Sequence, residues 1–366
     1  MRKQYKLKSR LLTPAVVCSA FFLLGLGLVA AADGTSIVTF DAPGAGTGAG
    51  QGTYPVGINA GGAIAGWFVD GNNVNHGFLR TPDGTITTFD APGAGTGAGQ
   101  GTLGSAMNSK QEVAGQYFDA NSVSHAFLRT REGNFTTFDA PGTGQGTFAC
   151  NVSEAGEISG DYYVANGAWQ GFVRSKNGGI VEYIVGPDIG CGTFYALSPT
   201  GWLAGFYRDS STHGYLRAPD GSVTTFDAPG AGQTYPDAIN LEVTVAGNTV
   251  DANNVYHGFL RTADGNFTIF DPPGAGTGAG QGTLAYSVNL RGAIVGEFID
   301  TNNVNHGYSR EADGAYTAID VPGAGTGAGQ GTIAAGGNDA GAIAGFYVDS
   351  SGVVHGFLRA AGLPGN

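Results

Sequence analysis

The sequence predicts an all-β protein, a seven-bladed β-propeller with four-stranded antiparallel blades, and three observations support this prediction. A five-residue motif of the form His-Gly-Phe-Leu-Arg occurs seven times at intervals of 43 to 49 residues, and a fixed interval of this length is typical of repeat architectures. Each interval contains four short strand patterns between turn signals and no sustained helical periodicity. One repeat is also divided between the two ends of the chain.

The first full repeat illustrates the four predicted strands, at residues 53–59, 63–70, 74–80 and 85–90. Asn59 begins a tight turn that ends at Gly62, and Asp83-Gly84 forms a second hairpin turn. The second strand of every repeat contains a glycine, here Gly66. A glycine fixed inside a strand predicts that another backbone or a bulky ring approaches closely at that point.

The divided repeat predicts how the fold closes. Residues 35–41 have the pattern of a fourth strand without the first three, and residues 355–359 have the pattern of a third strand without a fourth. Joining the two completes the seventh blade with the N-terminal strand and removes the exposed edges that an open stack would leave. An open β-solenoid, the alternative architecture, would have no reason to divide one repeat in this way.

Residues 1–32 are predicted to be a signal peptide, and residues 33–366 form the seven-repeat domain. Five basic residues precede an apolar run over 11–31, and three alanines offer cleavage after Ala32. An uncleaved anchor is the alternative, because the run approaches the length that spans a bilayer. Cys18 does not fit a lipoprotein site, since Val17 stands where a small residue is needed. We therefore expect a secreted protein, extracellular or periplasmic.

The charge of the exported domain excludes two classes of partner. Without the five basic leader residues, 12 of the 17 Lys and Arg remain against 29 Asp and Glu. Such an acidic surface repels phosphate backbones and anionic lipid headgroups. We therefore expect no nucleic-acid partner and no membrane contact after cleavage. The expected partner of this monomer is an unknown extracellular ligand, either a glycan or a protein.

The first motif position holds all six histidines, with glutamine in the third copy. The seven positions are His76, His125, Gln170, His213, His257, His306 and His355. Equivalent positions in a propeller are distributed around a ring, so these side chains cannot converge on one metal ion. In five repeats an aspartate lies six residues earlier and is expected to accept a hydrogen bond from the imidazole: Asp70, Asp119, Asp251, Asp300 and Asp349. The motif arginine is likewise predicted to have a structural role, through a hydrogen bond or a salt bridge.

Cys150 and Cys191 are the only cysteines of residues 33–366. Cys150 precedes Gln170 by 20 residues, and Cys191 precedes His213 by 22 residues, so both fall near the same end of equivalent strands. An exported pair in this arrangement predicts a disulfide between adjacent repeats.

Two further motifs resemble ligand sites. The sequence Pro-Gly-Ala-Gly-Thr-Gly-Ala-Gly-Gln-Gly-Thr occurs four times, starting at Pro43, Pro92, Pro273 and Pro322. It matches a dinucleotide-binding fingerprint, but a predicted strand follows where that fingerprint requires a helix. The Asp-x-Asn-Asn hairpins are rich in oxygen, yet none has the full spacing of a calcium loop. We therefore predict no cofactor and no metal site, and calcium remains the open alternative.

The Asn-x-x-Gly turn, the strand glycine and motifs such as His125-Ala-Phe-Leu-Arg129 resemble the extracellular HAF-repeat family over nearly the whole mature chain. This resemblance implies export and a repeat fold, and no shared activity. The fourth-strand pattern Thr-Thr-Phe-Asp-Ala-Pro is also similar to that of seven-bladed streptogramin lyases, although their tryptophan-rich strand motif is missing here.

The predicted function is that of a binding or structural module, and an exported hydrolase or lyase with a site at the central channel is the alternative. The face with the glycine loops and Asp/Asn turns is the predicted recognition surface. The sequence offers no catalytic set of residues. An enzyme should break the repeat symmetry at one channel mouth, and the divergent repeats three to five do so with Cys150, Glu154, Glu182 and Asp188.

Overall fold

The computed structural model describes residues 28–30, 36–165, 167–186, 188–191, 197–230 and 232–361. All regular structure in these residues is β, with 29 strands and no helix. Consequently, the described part of the chain offers no helix long and apolar enough to cross a bilayer. The prediction of an all-β protein is confirmed.

The strands are numbered along the chain. The first two are β1 (Leu28–Ala30) and β2 (Ser36–Phe40). Repeats one and two contain β3 (Gly52–Ile58), β4 (Ile64–Val69), β5 (Asn75–Arg80), β6 (Ile86–Phe89), β7 (Gly101–Met107), β8 (Val113–Phe118), β9 (Ser124–Arg129) and β10 (Phe135–Phe138). Repeats three and four contain β11 (Thr143–Val152), β12 (Ile158–Val164), β13 (Trp169–Arg174), β14 (Ile180–Tyr183), β15 (Asp188–Cys191), β16 (Leu203–Arg208), β17 (Thr212–Arg217) and β18 (Val223–Phe226). Repeats five and six contain β19 (Gln233–Ile239), β20 (Val245–Val250), β21 (Tyr256–Arg261), β22 (Phe267–Phe270), β23 (Gly282–Val288), β24 (Ile294–Ile299), β25 (Asn305–Arg310) and β26 (Tyr316–Ile319). The last three are β27 (Gly331–Gly337), β28 (Ile343–Val348) and β29 (Val354–Arg359).

Within a repeat, consecutive strands pair antiparallel, as in the order β3, β4, β5 and β6 of the first full repeat. Two glycines at positive φ close its hairpins, Gly62 at 81° and Gly84 at 93°, a conformation that glycine adopts without steric cost. The Gly62 N–H donates to the Asn59 carbonyl at 2.9 Å. The short strands thus follow from turn residues placed at fixed offsets.

At six of the seven junctions, the described residues show a single parallel bridge from the third strand of one repeat to the first strand of the next. Asn75 pairs with Gly101 in this way, and Val354 of the last repeat pairs with Gly52 of the first. β2 also pairs antiparallel with β29, from Ile37↔Arg359 to Phe40↔Gly356, which is the pairing that the divided repeat predicts. β1 pairs with β2 and falls inside the predicted leader, so cleavage after Ala32 would remove it.

The third motif position supplies the core of each repeat. Its seven aromatic side chains have no solvent exposure: Phe78, Phe127, Phe172, Tyr215, Phe259, Tyr308 and Phe357. The strand glycine makes room for this ring. A Cβ atom at Gly66 would lie 2.1 Å from the Tyr54 carbonyl oxygen and 2.9 Å from the Phe78 ring. The predicted close approach is confirmed.

The motif arginine stacks on an aromatic ring of the preceding repeat. The Arg80 guanidinium lies 5.0 Å from the centre of the Phe40 ring, and that of Arg129 lies 4.7 Å from the Phe89 ring. Arg80 is 6% exposed, so this cation–π contact is largely desolvated. Arg129 Nη1 also donates a hydrogen bond to the Thr130 carbonyl at 3.2 Å, so the predicted structural role through a hydrogen bond is confirmed, and the aromatic ring is an additional partner.

Candidate functional site

The six histidines each lie between two aspartates at the edge of their own repeat. In the first full repeat, His76 Nδ1 lies 2.9 Å from Oδ1 of Asp90, the residue directly after the fourth strand, whereas Nε2 lies 3.8 Å from Asp70 Oδ2. The ring also stacks on Phe68 with centroids 4.9 Å apart. The expected partner six residues earlier is therefore the distant one in this repeat. The aspartates that hydrogen-bond the ring each follow a fourth strand directly: Asp90, Asp139, Asp227, Asp271, Asp320 and, for His355, Asp41.

Asp70 and its equivalents have a different task, because their carboxylates hold the second hairpin. Asp70 Oδ1 accepts the N–H groups of Asn72 and Val74, both at 2.8 Å. In the next repeat, the hydrogen bond from Val123 N–H lowers the pKa of Asp119 below its usual value. The aspartate oxygens of these hairpins thus accept hydrogen bonds from their own turns. Within the described ranges, no three His, Cys, Asp or Glu side chains form a group that would hold a metal ion.

The glycine-rich crossovers are tied to the hairpins on the same face. Gln51 Oε1 accepts the Gly48 N–H at 2.9 Å, and Gln51 Nε2 donates to Asn73 Oδ1 at 3.0 Å. The Gly50 N–H donates to the carbonyl of Gly352 in the last repeat at 2.8 Å. β3 follows the loop, so the dinucleotide fingerprint lacks its helix. The loops of the predicted recognition surface therefore bind the hairpins beside them.

The opposite face carries a series of asparagines that join neighbouring repeats. Asn59 Nδ2 donates to the Asn108 carbonyl at 3.1 Å, and Asn338 Nδ2 of the last repeat donates to the Asn59 carbonyl at 3.1 Å. The same side chains hold their own turns, since Asn59 Oδ1 accepts the Ala63 N–H at 3.0 Å. The asparagine series is Asn59, Asn108, Asn240, Asn289 and Asn338.

Serine replaces asparagine in repeats three and four, and the series is interrupted there. Ser153 Oγ accepts the Glu157 N–H at 3.1 Å, and Ser198 Oγ accepts the Trp202 N–H at 3.0 Å. A hydroxyl can cap the turn in this way, but it does not supply the amide that reaches the next repeat. Glu154 adds a link of another kind, because its Oε1 accepts the Ser109 N–H at 2.9 Å.

A cavity of about 470 Å³ opens at the centre of this asparagine face and is lined by all seven repeats. The space enclosed by the first strands is called the channel below. The rim is polar and carries Glu154 and Asp339. Leu241 and Leu290 are each 43% exposed at the same rim. Behind the rim lies an aliphatic collar, with one side chain from each of six repeats: Ile58, Met107, Val152, Leu197, Ile239 and Val288.

The first strands share a β-bulge immediately beyond the collar. The bulged residues, called the bulge row below, are Val56, Ser105, Cys150, Asp237, Tyr286 and Ala335. A bulge redirects a side chain out of the regular alternation of a strand. Ser287, which follows Tyr286 directly, lines the cavity. The bulge row therefore lies next to the inner end of the cavity, and its chemistry differs from repeat to repeat.

Each polar member of the bulge row has a partner on the second strand, at the residue after the strand glycine. The Tyr286 hydroxyl donates to Glu297 Oε1 at 2.6 Å, and Asn248 Nδ2 donates to Asp237 Oδ2 at 2.6 Å. Ser105 Oγ donates to Gln116 Oε1 at 2.9 Å in the same manner.

Two of these carboxylates are buried, with Asp237 5% and Glu297 8% exposed. Burial raises the pKa of Glu297 to about 7, although the hydrogen bond from Tyr286 opposes this shift. Burial also raises the pKa of Tyr286 well above its usual value. Among the described atoms, Glu297 Oε2 is buried without a hydrogen-bond partner. A buried acid with a strongly raised pKa next to a tyrosine marks this sector of the channel as a candidate functional site.

Of the four residues predicted to break the repeat symmetry, the three whose side chains are described do not assemble into one site. Glu154 lies at the rim, Glu182 is exposed on β14, and the side chain of Asp188 lies outside the described residues. Cys150 belongs to a disulfide. The backbone of Cys191 pairs with Gly205 as Ala149 pairs with Gly160, but its side chain is outside the described part, so the Cys150–Cys191 bond stays a prediction.

No protein-family model and no curated protein sequence matches the chain. Among solved structures, it is similar to virginiamycin B lyase from Staphylococcus aureus, with 14% identity, 89% of this chain and 99% of the lyase covered, and a TM-score of 0.56. The β-propeller domain of the trilobed protease from Pyrococcus furiosus shares 9% identity over 85% of this chain and 96% of that domain, with a TM-score of 0.55. A lectin from Burkholderia pseudomallei shares 11% identity over 84% of this chain and 94% of the lectin, with a TM-score of 0.55. The fold is therefore a β-propeller. At identities this low, the function of these proteins cannot be inferred for this chain.

Proposed function

We propose that the chain is a secreted, monomeric β-propeller of the HAF-repeat type that binds a small extracellular ligand in the cavity on its asparagine face. In this proposal the repeats form seven four-stranded blades, and β2 completes the last one. The antiparallel strand series and the parallel bridges between repeats support this arrangement. The strongly acidic composition disfavours nucleic acid and anionic membranes as partners.

The observation that carries the proposal is the position of the cavity. Its volume of about 470 Å³ is in the range of small-molecule sites, and it combines aliphatic walls with a few polar groups. It also opens beside the bulge row, where otherwise similar repeats carry different side chains. The opposite face, by contrast, is occupied by its own loop hydrogen bonds.

A ligand screen by thermal shift tests this proposal, with glycans and small amphiphilic molecules as probes. The variant Leu290→Arg places a long charged side chain at the rim, whereas Ile269→Arg makes the same change on β22, where the side chain is 39% exposed. A ligand of the cavity should raise the melting temperature of the wild type and of Ile269→Arg, but not of Leu290→Arg. An equal shift in both variants would place the site elsewhere.

An exported hydrolase or lyase is the second candidate, and the Tyr286–Glu297 pair favours it. A carboxyl group with a pKa of about 7 is suited to general acid–base catalysis near neutral pH. Chromatography of any cavity ligand after incubation with the protein separates the two functions. Turnover that Glu297→Gln abolishes while binding persists would establish an enzyme, and an unchanged ligand would favour the binding module.

A further inference from the structure

We infer that the channel behind the aliphatic collar receives an organic cation of the alkylammonium class. This inference rests on the proposed binding function and specifies the chemistry of its ligand. Three features carry it: a pair of buried carboxylates, a group of aromatic rings in the neighbouring repeats, and the apolar collar in front of both.

The acidic side of this site lies in repeats five and six. Asp237 and Glu297 are more than nine-tenths buried, and Glu297 Oε2 accepts no hydrogen bond among the described atoms. In the six repeats whose bulge is described, neither the bulge row nor the residue after the strand glycine is Lys, Arg or His. The ionised Glu297 carboxylate, with one buried oxygen that accepts no hydrogen bond among the described atoms, has a high desolvation cost, which a bound cation with N–H donors would offset.

The aromatic side lies in repeats seven and one, which follow repeat six around the channel through the parallel bridges Asn305↔Gly331 and Val354↔Gly52. Tyr54 stacks on Trp67 with centroids 4.1 Å apart and planes within 4°. The Phe346 ring of the last repeat lies 5.4 Å from Tyr54. Aromatic faces attract organic cations most strongly when water is excluded. In the proposed site, these rings are supplied by the repeats that follow the one carrying Glu297.

The collar determines the remainder of the ligand. Aliphatic side chains from six repeats line the cavity behind its polar rim. In the proposed site, a group that enters from the asparagine face and reaches Glu297 passes between these side chains. A hydrocarbon stem fits this collar, and its burial adds affinity in proportion to its apolar area. Anionic ligands would meet two carboxylates, and the motif arginines cannot neutralise them because they stack on the fourth strands of neighbouring repeats.

Isothermal titration with three probes of one size tests the charge preference. Hexylammonium, hexanol and hexanoate are compared at pH 8, where the Glu297 carboxyl is ionised. We expect hexylammonium to bind at least about tenfold more tightly than hexanol, and hexanoate not to bind. Similar affinities for the three probes would overturn the inference. If Leu290→Arg still removed their binding, the proposed cavity function would survive.

Two variants locate the cation. Glu297→Gln should weaken hexylammonium about tenfold and leave hexanol unchanged, whereas Glu311→Gln, an exposed residue in a turn of the same repeat, should change neither. Phe346→Leu keeps the site apolar and should weaken hexyltrimethylammonium several-fold by removing a ring. Unfolding midpoints establish that each variant is folded.

A folded Glu297→Gln variant that binds hexylammonium as the wild type does would refute the assignment. If another cavity ligand were found while no amine bound, only this inference would fail, and if nothing bound, both proposals would fail.

Discussion

The free energy of unfolding should depend on pH because of Glu297, and replacing Glu297 with glutamine should remove this contribution. Burial raises the pKa of Glu297 from its usual 4.5 to about 7. One pKa unit corresponds to about 1.36 kcal/mol, so the difference amounts to about 3 kcal/mol. Because the folded state holds the proton more tightly, the stabilisation is fully present below about pH 4.5 and is lost as the pH rises through about 7.

The measurement is urea unfolding at pH values from 4.5 to 8, followed by the fluorescence of the three tryptophans. The stability of the wild type should fall by about 3 kcal/mol relative to Glu297→Gln across this range. His213 and His355 also lose stabilisation as the pH rises, because hydrogen bonds to Asp227 and Asp41 raise their pKa values. Both proteins keep these histidines, so their effect cancels in the difference. If the free energies of unfolding of the two proteins changed in parallel with pH, the raised pKa of a buried Glu297 would be refuted.

Three further predictions concern the links between repeats. Asn338→Ser keeps the turn cap but removes the hydrogen bond to the first repeat, so it should lower the free energy of unfolding in urea by about 1 kcal/mol. Ser198→Asn adds such a link and should raise the free energy of unfolding by a similar amount. No change in either variant would show that the asparagine series is not stabilising. Deleting β2 leaves β29 unpaired and should lower the melting temperature or cause aggregation, so an unchanged melting curve would contradict the closure. Cys150 and Cys191 should form a disulfide in the exported protein. It would close a loop of about 40 residues, for which a gain in stability of about 2–4 kcal/mol is typical. Detection of two free thiols by mass spectrometry after non-reducing alkylation would disprove this.

Turns and strands could be predicted because their determinants are local. Asn59 and Gly62 close a hairpin over four residues, and the strand glycine Gly66 is explained by the Phe78 ring directly opposite it on the next strand. The partner of His76 could also have been found by counting. The hairpin register that places Gly77 opposite Phe89 places His76 opposite Asp90, whereas proximity along the chain suggested Asp70.

The asparagine series could not be predicted in the same way, because one residue performs two tasks. Asn59 fully satisfies the requirements of its own turn, so nothing in the local pattern indicates that its amide also reaches a carbonyl 49 residues away. The replacement by Ser153 and Ser198 was the available signal. Serine and asparagine cap a turn equally well, and only the amide can make the second bond.

The bulge row was missed for a different reason. Regular alternation assigns Val56 and its equivalents to one face of a strand, and the extra residue of a bulge breaks that alternation without changing the composition. A sequence pattern with a period of two therefore cannot show that these side chains lie beside the channel. The residues after the strand glycines carried the complementary signal, since Trp67, Gln116, Glu297 and Phe346 share a position but not a chemistry.

That contrast is the strongest argument for placing function in the channel. The repeats that contain these four residues are each preceded by the same eleven-residue crossover, and all four form the same strands and the same bulge. The fold therefore tolerates Val56 with Trp67, Ser105 with Gln116, and Tyr286 with Glu297 at equivalent places. If folding alone determined these positions, the pair with the lowest desolvation cost would serve in every repeat, and a buried glutamate with an unpartnered oxygen would be the least suitable. Its presence in one repeat is explained when the channel has a ligand to bind.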